Sequence, residues 1–273
     1  MKFENTSVFN FKNAFRGMRN PLNSWNKCDS FFGTIENDSD KIVRIVDLWV
    51  KDKYPDYNGF ETTKEEQSCF DNILAYIKSN CILDTDKTLH SVAVIGPNDM
   101  KLATNLIKGG SEHRKFLRQI FVSVDITAPL YWWKEMDTYK VGTVSNSTST
   151  MHTLTKNPIT MDCFEMDDYN EDVGMTAYWR IVIEELEALR QEVVDEKDAV
   201  KSKKLWKELI RALPESWLQT RTITFNYENL LSICSQRKFH KLNEWSESFI
   251  SWAKTLPYAK DFIFNDRDGL NYL

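Results

Sequence analysis

Apolar residues recur at helical spacing along much of the chain. Over residues 38–52, Ile42, Ile45, Val46 and Trp49 share one stripe, and over 64–79 Cys69, Phe70, Ile73, Leu74 and Ile77 do the same. A third helix is expected over 98–109, capped by Asn98 or Asp99 and stopped by Gly109-Gly110. The period then changes. Ile120, Val122, Val124 and Ile126 alternate with Phe121, Ser123, Asp125 and Thr127, which predicts a half-buried strand over 118–127. Ala128-Pro129 and the aromatic run Leu130–Trp133 follow, the start of a strongly buried helix with Pro129 near its first turn. Helices are predicted over 176–197 and 201–212, a short strand over Thr220–Phe225, and closing helices over Asn226–Arg237 and Leu242–Leu256. Strands separated by helices predict an α+β (mixed α/β) architecture.

Composition narrows this picture. The chain has 273 residues, 42% of them hydrophobic, enough for one sizeable core, and its 9 Gly and 7 Pro form no linker. A single domain over 1–273 is therefore expected. A net charge of −5 argues against a general nucleic-acid or anionic-membrane surface. No apolar run approaches the roughly 20 residues of a membrane span, and Met1–Asn10 lacks a signal-peptide core. The five cysteines, Cys28, Cys69, Cys81, Cys163 and Cys234, are widely spaced with no CxxC pair. Neither a disulfide framework nor a zinc site is expected, and a reducing cytoplasm fits.

Familiar catalytic signatures are absent: no phosphate-binding loop, dinucleotide fingerprint, HExxH or nucleophile elbow. His90, His113, His152 and His240 are not at metal-ligand spacing, and the acidic run over 161–173 contains no His and no calcium-loop spacing, so it reads as a solvated loop. Two polar stretches remain. Residues 137–152 read Asp-Thr-Tyr-Lys-Val-Gly-Thr-Val-Ser-Asn-Ser-Thr-Ser-Thr-Met-His. Their hydroxyls and amides, with Lys140, could hold phosphate oxygens; a solvated, turn-rich loop is the other reading. The aromatics Tyr131, Trp132 and Trp133 just before favour a structured pocket wall. The second stretch spans 211–245 and carries Arg211, Arg221, Asn226, Arg237, Lys238, His240 and Asn243. Arg237 ends an apolar helix, where it can offset the helix dipole or present a rigid two-pronged donor to an anion. The segment Gly17-Met18-Arg19-Asn20-Pro21 is dense in turn formers and cations without an assigned role.

The order of these segments resembles the flavin-dependent thymidylate synthases. Leu106-Ile-Lys-Gly-Gly-Ser-Glu-His113, the strand to Asp125-Ile-Thr-Ala-Pro129, the aromatic helix and the Ser/Thr stretch follow that family's order. So do Leu213-Pro214, Thr224-Phe-Asn226 and Leu230 to Arg237. The resemblance covers 106–152 and 211–245 most clearly. It implies a central sheet flanked by helices and a homotetramer with shared active sites. It also implies reductive methylation of dUMP with FAD, NADPH and methylene-tetrahydrofolate. Carried over residue by residue, it makes Arg237 and Ser149 catalytic. Arg211, Asn146, Ser149 and Arg237 then bind nucleotide, and Lys140, Asn226, Gln119, His113 and Ser147 bind the cofactor. No metal is implied.

The departures are mostly lost charges. With Asn146 and Ser149 on the motif's Asn and second Ser, Tyr139, Lys140 and Val141 replace Arg-His-Arg, Ser147 replaces Glu and Met151 the last Arg. A gapless match from Ala128-Pro129 shifts this by one residue. Gln119 stands at a flavin-contacting His and Glu228 at an Arg. Three readings follow: an enzyme that rebuilt its site with hydroxyls and Lys140, a catalytically inactive nucleotide- or flavin-binding homologue, and a structural homo-oligomer without a small-molecule site.

Overall fold

The structure, a computed structural model, describes residues 1–34, 39–83, 91–166 and 175–264. It is a mixed α+β fold with a sheet flanked by helices. The strands are β1 (Lys2–Phe9), β2 (Phe31–Thr34), β3 (Ser91–Val94), β4 (Phe121–Pro129), β5 (Val144–Ser147) and β6 (Leu218–Asn226). The helices are α1 (Phe11–Met18), α2 (Ser39–Lys53), α3 (Lys64–Asn80), α4 (Pro97–Lys108), α5 (Leu130–Met136), α6 (Thr150–Thr153), α7 (Met175–Asp195), α8 (Ala199–Ala212), α9 (Tyr227–Arg237) and α10 (Ile250–Lys254). One sheet has the order β1-β4-β6-β5, and β2 pairs antiparallel with β3, Phe31 opposite Val94 and Thr34 opposite Ser91.

Strand β4 shows the expected alternation, Val122, Val124 and Ile126 buried between half-buried neighbours. Its polar positions meet those of β6: Thr127 bonds Thr220 at 2.7 Å, Thr222 donates to Asp125, and Thr224 donates to Ser123 at 3.4 Å. The partners step in opposite directions along the two strands, so the pairing is antiparallel. One face of this pair is apolar and the other carries hydroxyls.

The chain packs as two compact units. The first comprises Met1–Phe3, Asp125–Lys140 and Ser145–Ile223. Its core gathers Leu154, Ile159, Phe164, Leu186, Val193 and Leu209, lined by Trp179, Trp206 and Trp217. Helices α7 and α8 form a hairpin in which Asp198 caps α8, accepting from Val200 N and Lys201 N at 2.9 Å each. Glu187 on α7 accepts from Arg190 Nε at 2.7 Å and Nη2 at 2.6 Å, and from Ile159 N at 2.7 Å. The Arg190 bonds are the main reason its carboxyl is pulled down to about 2.

The second unit comprises Glu4–Val124, Val141–Val144 and the chain from Thr224 onward. Its core is aromatic. Phe11 meets Tyr227 edge-on at 5.7 Å, Phe15 meets Phe116 at 6.0 Å, and Phe262 packs 6.0 Å from Phe15 and 5.7 Å from Tyr258. Tyr258 is fully buried, with its hydroxyl donating to Ala93 O at 2.8 Å and accepting from Ile95 N at 3.1 Å.

Two local expectations change. Gly96, not Asn98 or Asp99, is the N-cap of α4, because Pro97 occupies the first helical position. The N–H groups of Asn98 and Asp99 are met instead by the Asp29 carboxylate, at 2.8 and 3.0 Å. The closing helix over 242–256 divides into a wide i+5 turn, Glu244–Phe249, and α10. His90 and residues 167–173 of the acidic run lie outside the described residues. Among the described residues no helix is long and apolar enough to cross a membrane.

Candidate functional site

In the first unit a guanidinium is locked in place. The plane of Arg221 lies 4.3 Å over the ring of the buried Trp133. Its Nε donates to Gln219 Oε1 at 2.9 Å and its Nη1 to Asp137 Oδ1 at 2.8 Å. Trp133 is fixed in turn, Nε1 donating to Gln219 O at 2.9 Å. The Gln219 amide reaches Thr148 O at 3.0 Å, and Thr148 N donates to Thr220 O at 2.9 Å. A single network therefore ties Arg221 to the Ser/Thr stretch, of which 144–147 form the edge strand β5 and Ser149 caps the short helix α6. Arg221 Nη2 has no protein acceptor among the described residues, and the side chain is only 16% exposed. A guanidinium with one free prong, beside exposed amides and hydroxyls, is suited to a phosphate or a pyrimidine carbonyl.

Asn146 and Ser147 lie on β5 with exposed side chains, Ser149 is half-buried, and its carbonyl accepts from His152 N at 3.0 Å and Thr153 N at 3.1 Å. Lys140 is exposed. Arg211 is also exposed, and its guanidinium pairs along its own helix with Glu208 at 2.6 Å. Arg221 was only one of several cations in its stretch. The signal that separates it is its alternation with Gln219 on β6.

In the second unit, Asn226 and Asn229 build the start of α9. Asn226 Oδ1 accepts from Asn229 N at 2.9 Å, and Asn229 Oδ1 from Asn226 N at 3.2 Å. Asn229 Nδ2 also holds Val141 O at 2.7 Å. Gly142, at φ +76°, sits so close that an added Cβ would lie 2.9 Å from Asn226 Nδ2. Glu228, where the resemblance expects an Arg, accepts two bonds from Arg114 Nε, at 3.1 and 2.9 Å. The charge reversal is thus neutralised inside the unit. At the far end of α9 the guanidinium of Arg237 lies 5.1 Å over the buried ring of Trp245.

Two of the residues matched to cofactor binding lie against glycines of the second unit. An added Cβ at Gly17 would lie 2.6 Å from Gln119 Oε1, so Gln119 is packed on α1; the His113 ring packs on Gly109. Both side chains are exposed. Lys140, Ser147 and the Asn226 amide keep donors that fit anionic or carbonyl oxygens.

No family model and no curated relative matches the chain. Solved structures do. The flavin-dependent thymidylate synthase ThyX from Helicobacter pylori, with FAD and dUMP, is similar at 18% identity over 63% of this chain and 83% of that chain, TM-score 0.48. A second ThyX structure from that organism, also with FAD and dUMP, is similar at 16% identity over 82% and 94%, TM-score 0.48. The UMP/dUMP methylase PolB from Streptomyces cacaoi, bound with 5-Br UMP, is similar at 14% identity over 62% and 83%, TM-score 0.46. At these identities and TM-scores no family membership follows.

Proposed function

We propose that this chain binds a pyrimidine nucleotide and acts on it as a flavin-dependent thymidylate synthase-like enzyme, methylating dUMP. The observation that carries the reading is the network Trp133–Arg221–Gln219–Thr148. It joins the two sequence stretches singled out for phosphate and base chemistry, 137–152 and 211–245, through side chains held before any ligand arrives. Arg221 and the hydroxyls of 147–149 hold the nucleotide's anionic group, with Asn146 beside them. Arg237, taken by itself in the second unit, is a forked donor suited to negative charge that develops on a pyrimidine. Trp245 limits the rotamers of that side chain, so less entropy is lost when it binds.

FAD, when bound, supplies the hydride for reductive methylation. The resemblance implies Lys140, Ser147, Asn226, Gln119 and His113 for it; Lys140 and Ser147 in the first unit and Asn226 in the second each present a donor suited to its oxygens. NADPH and methylene-tetrahydrofolate are the co-substrates of this reading, and a cytoplasmic homotetramer is its assembly. Calorimetric titration with dUMP tests the reading. Arg221→Lys keeps the charge and loses the fork, and should weaken binding about tenfold or more, a charged hydrogen bond contributing roughly 1.5–3 kcal/mol. Unchanged affinity in this variant would overturn the assignment.

A further inference from the structure

Helix α1 has two faces. Phe11, Ala14, Phe15 and Met18 are buried, while Lys12, Arg16 and the C-cap Arg19 recur along the side next to them. These three cations line a pocket of about 320 Å³ whose remaining wall is Trp25, Cys28, Ser30, Phe31 and Phe32. The volume falls at the lower end of the roughly 300–1,000 Å³ typical of ligand sites.

The charges in this pocket are not balanced. Arg19 is neutralised by Asp99, whose other oxygen is taken by Ser30 and Cys28. Asp29, the other nearby carboxylate, accepts from Asn98 N and Asp99 N. Lys12 and Arg16 have no carboxylate partner among the described residues. Arg16 is instead stacked on Trp25, 4.9 Å from the ring centroid, and the Trp25 indole is oriented by its Nε1 bond to Asn20 Oδ1 at 2.8 Å. Trp25 remains 40% exposed. Two cations four residues apart, a stacked guanidinium with its donor edge open, and aromatic walls match a small aromatic group bearing an anion.

We infer that this pocket is a second ligand site, for a phosphate monoester carried on an aromatic base or ring, a nucleoside monophosphate being the natural size. Lys12 and Arg16 hold the phosphate, and the ring stacks among Trp25, Phe31 and Phe32. None of these residues belongs to the Arg221 network, and the inference stands whether or not that network binds nucleotide. It also gives a role to the cation-rich segment around Gly17–Pro21, since Arg19 and Asn20 set the pocket's shape through Asp99 and Trp25.

The test uses the full chain labelled with 15N only in tryptophan, giving one indole signal for each of nine Trp. Trp25 and Trp133 are assigned with Trp25→Phe and Trp133→Phe. The probes are dUMP, deoxyuridine and inorganic phosphate. The Trp25 signal should move saturably with dUMP, at least tenfold more weakly with deoxyuridine, and phosphate should compete. Lys12→Met and Arg16→Met, both at exposed positions, should each weaken the Trp25 response about tenfold while melting like the parent protein. A Trp25 signal that stays still at millimolar dUMP, or affinities unchanged in both variants, overturns the inference. Movement of Trp133 alone also overturns it and leaves the Arg221 site intact; movement of Trp25 alone does the reverse.

Discussion

Replacing Arg19 with methionine isolates a buried ion pair. Arg19 Nε and Nη2 both lie 2.6 Å from Asp99 Oδ1, with side-chain exposures of 6% for Arg19 and 0% for Asp99. The second Asp99 oxygen accepts from Ser30 Oγ at 2.6 Å, Ser30 N at 3.2 Å and Cys28 Sγ at 3.1 Å. Methionine keeps most of the stem's packing but leaves the carboxylate with neutral donors only. Breaking a buried pair from one side costs about 3–5 kcal/mol, because the remaining charge is still desolvated. At this length each kcal/mol lowers the melting temperature by roughly 2 °C, so Arg19→Met should melt about 6–10 °C lower. The double variant Arg19→Met/Asp99→Leu removes both charges and should be less damaged than Arg19→Met alone, since a buried pair often gives way to apolar residues at little net cost. Urea denaturation and thermal melting measure both. A loss below about 1 kcal/mol for Arg19→Met, the value of an exposed pair, would refute the claim that this pair is dry. A double variant worse than the single would show that the damage comes from lost packing rather than a stranded charge.

Other expectations follow from single contacts. Glu187 has its folded carboxyl lowered to about 2 from the ordinary 4.5, so its stabilising effect is complete above about pH 4.5 and fades as pH falls toward 2; Glu187→Gln should flatten acid unfolding in that window, and an unaltered profile by circular dichroism would count against it. Gly142→Ala must force a side chain into positive φ and against Asn226, at a cost of roughly 1–3 kcal/mol in urea unfolding; a neutral result would mean the Val141–Val144 segment is not held by α9. Arg237→Lys should weaken dUMP binding about tenfold with little change in melting temperature, because a lysine serves the helix end but not a forked contact; equal affinity would reduce Arg237 to a helix cap. Light scattering should give a tetramer, and a mass near 32 kDa at micromolar concentration would remove the shared-site reading.

Much of the helical framework was legible because its apolar stripes are long: α2, α3, α7 and α8 each fall within three residues of the expected bounds. Strand β4 was legible because one of its faces is apolar and the other polar. The N-terminal elements β1, α1 and β2 were not. Helix α1 has only eight residues, and its buried Phe11, Ala14, Phe15 and Met18 make too short a repeat to stand out beside Arg16 and Arg19. Strands β2 and β3 are four residues each and acquire their pattern only by pairing. At the site, the polar stretches were visible as composition, but their connection was not. The role proposed for Arg221 depends on Trp133 and Gln219, whose hydrogen bonds cross 86 residues of sequence between the two and 71 from Gln219 to Thr148. The position of Gln119 was not legible either: its amide lies against α1 because Gly17 has no Cβ there, a contact between residues about a hundred positions apart.

The joint between β6 and α9 contains no spare residue. Asn226 is the last residue of the strand and the N-cap of the helix. A residue inserted on the strand side would turn every following strand position to the opposite face. One inserted inside α9 would rotate the rest of the helix by about 100° and lengthen it by ~1.5 Å, taking Arg237 off Trp245. Amino-acid exchanges at the joint change one contact at a time, whereas a change of length alters the aim of every side chain beyond it. Over evolutionary time this joint should therefore drift in composition but stay fixed in length, with insertions and deletions collecting in the surrounding connections.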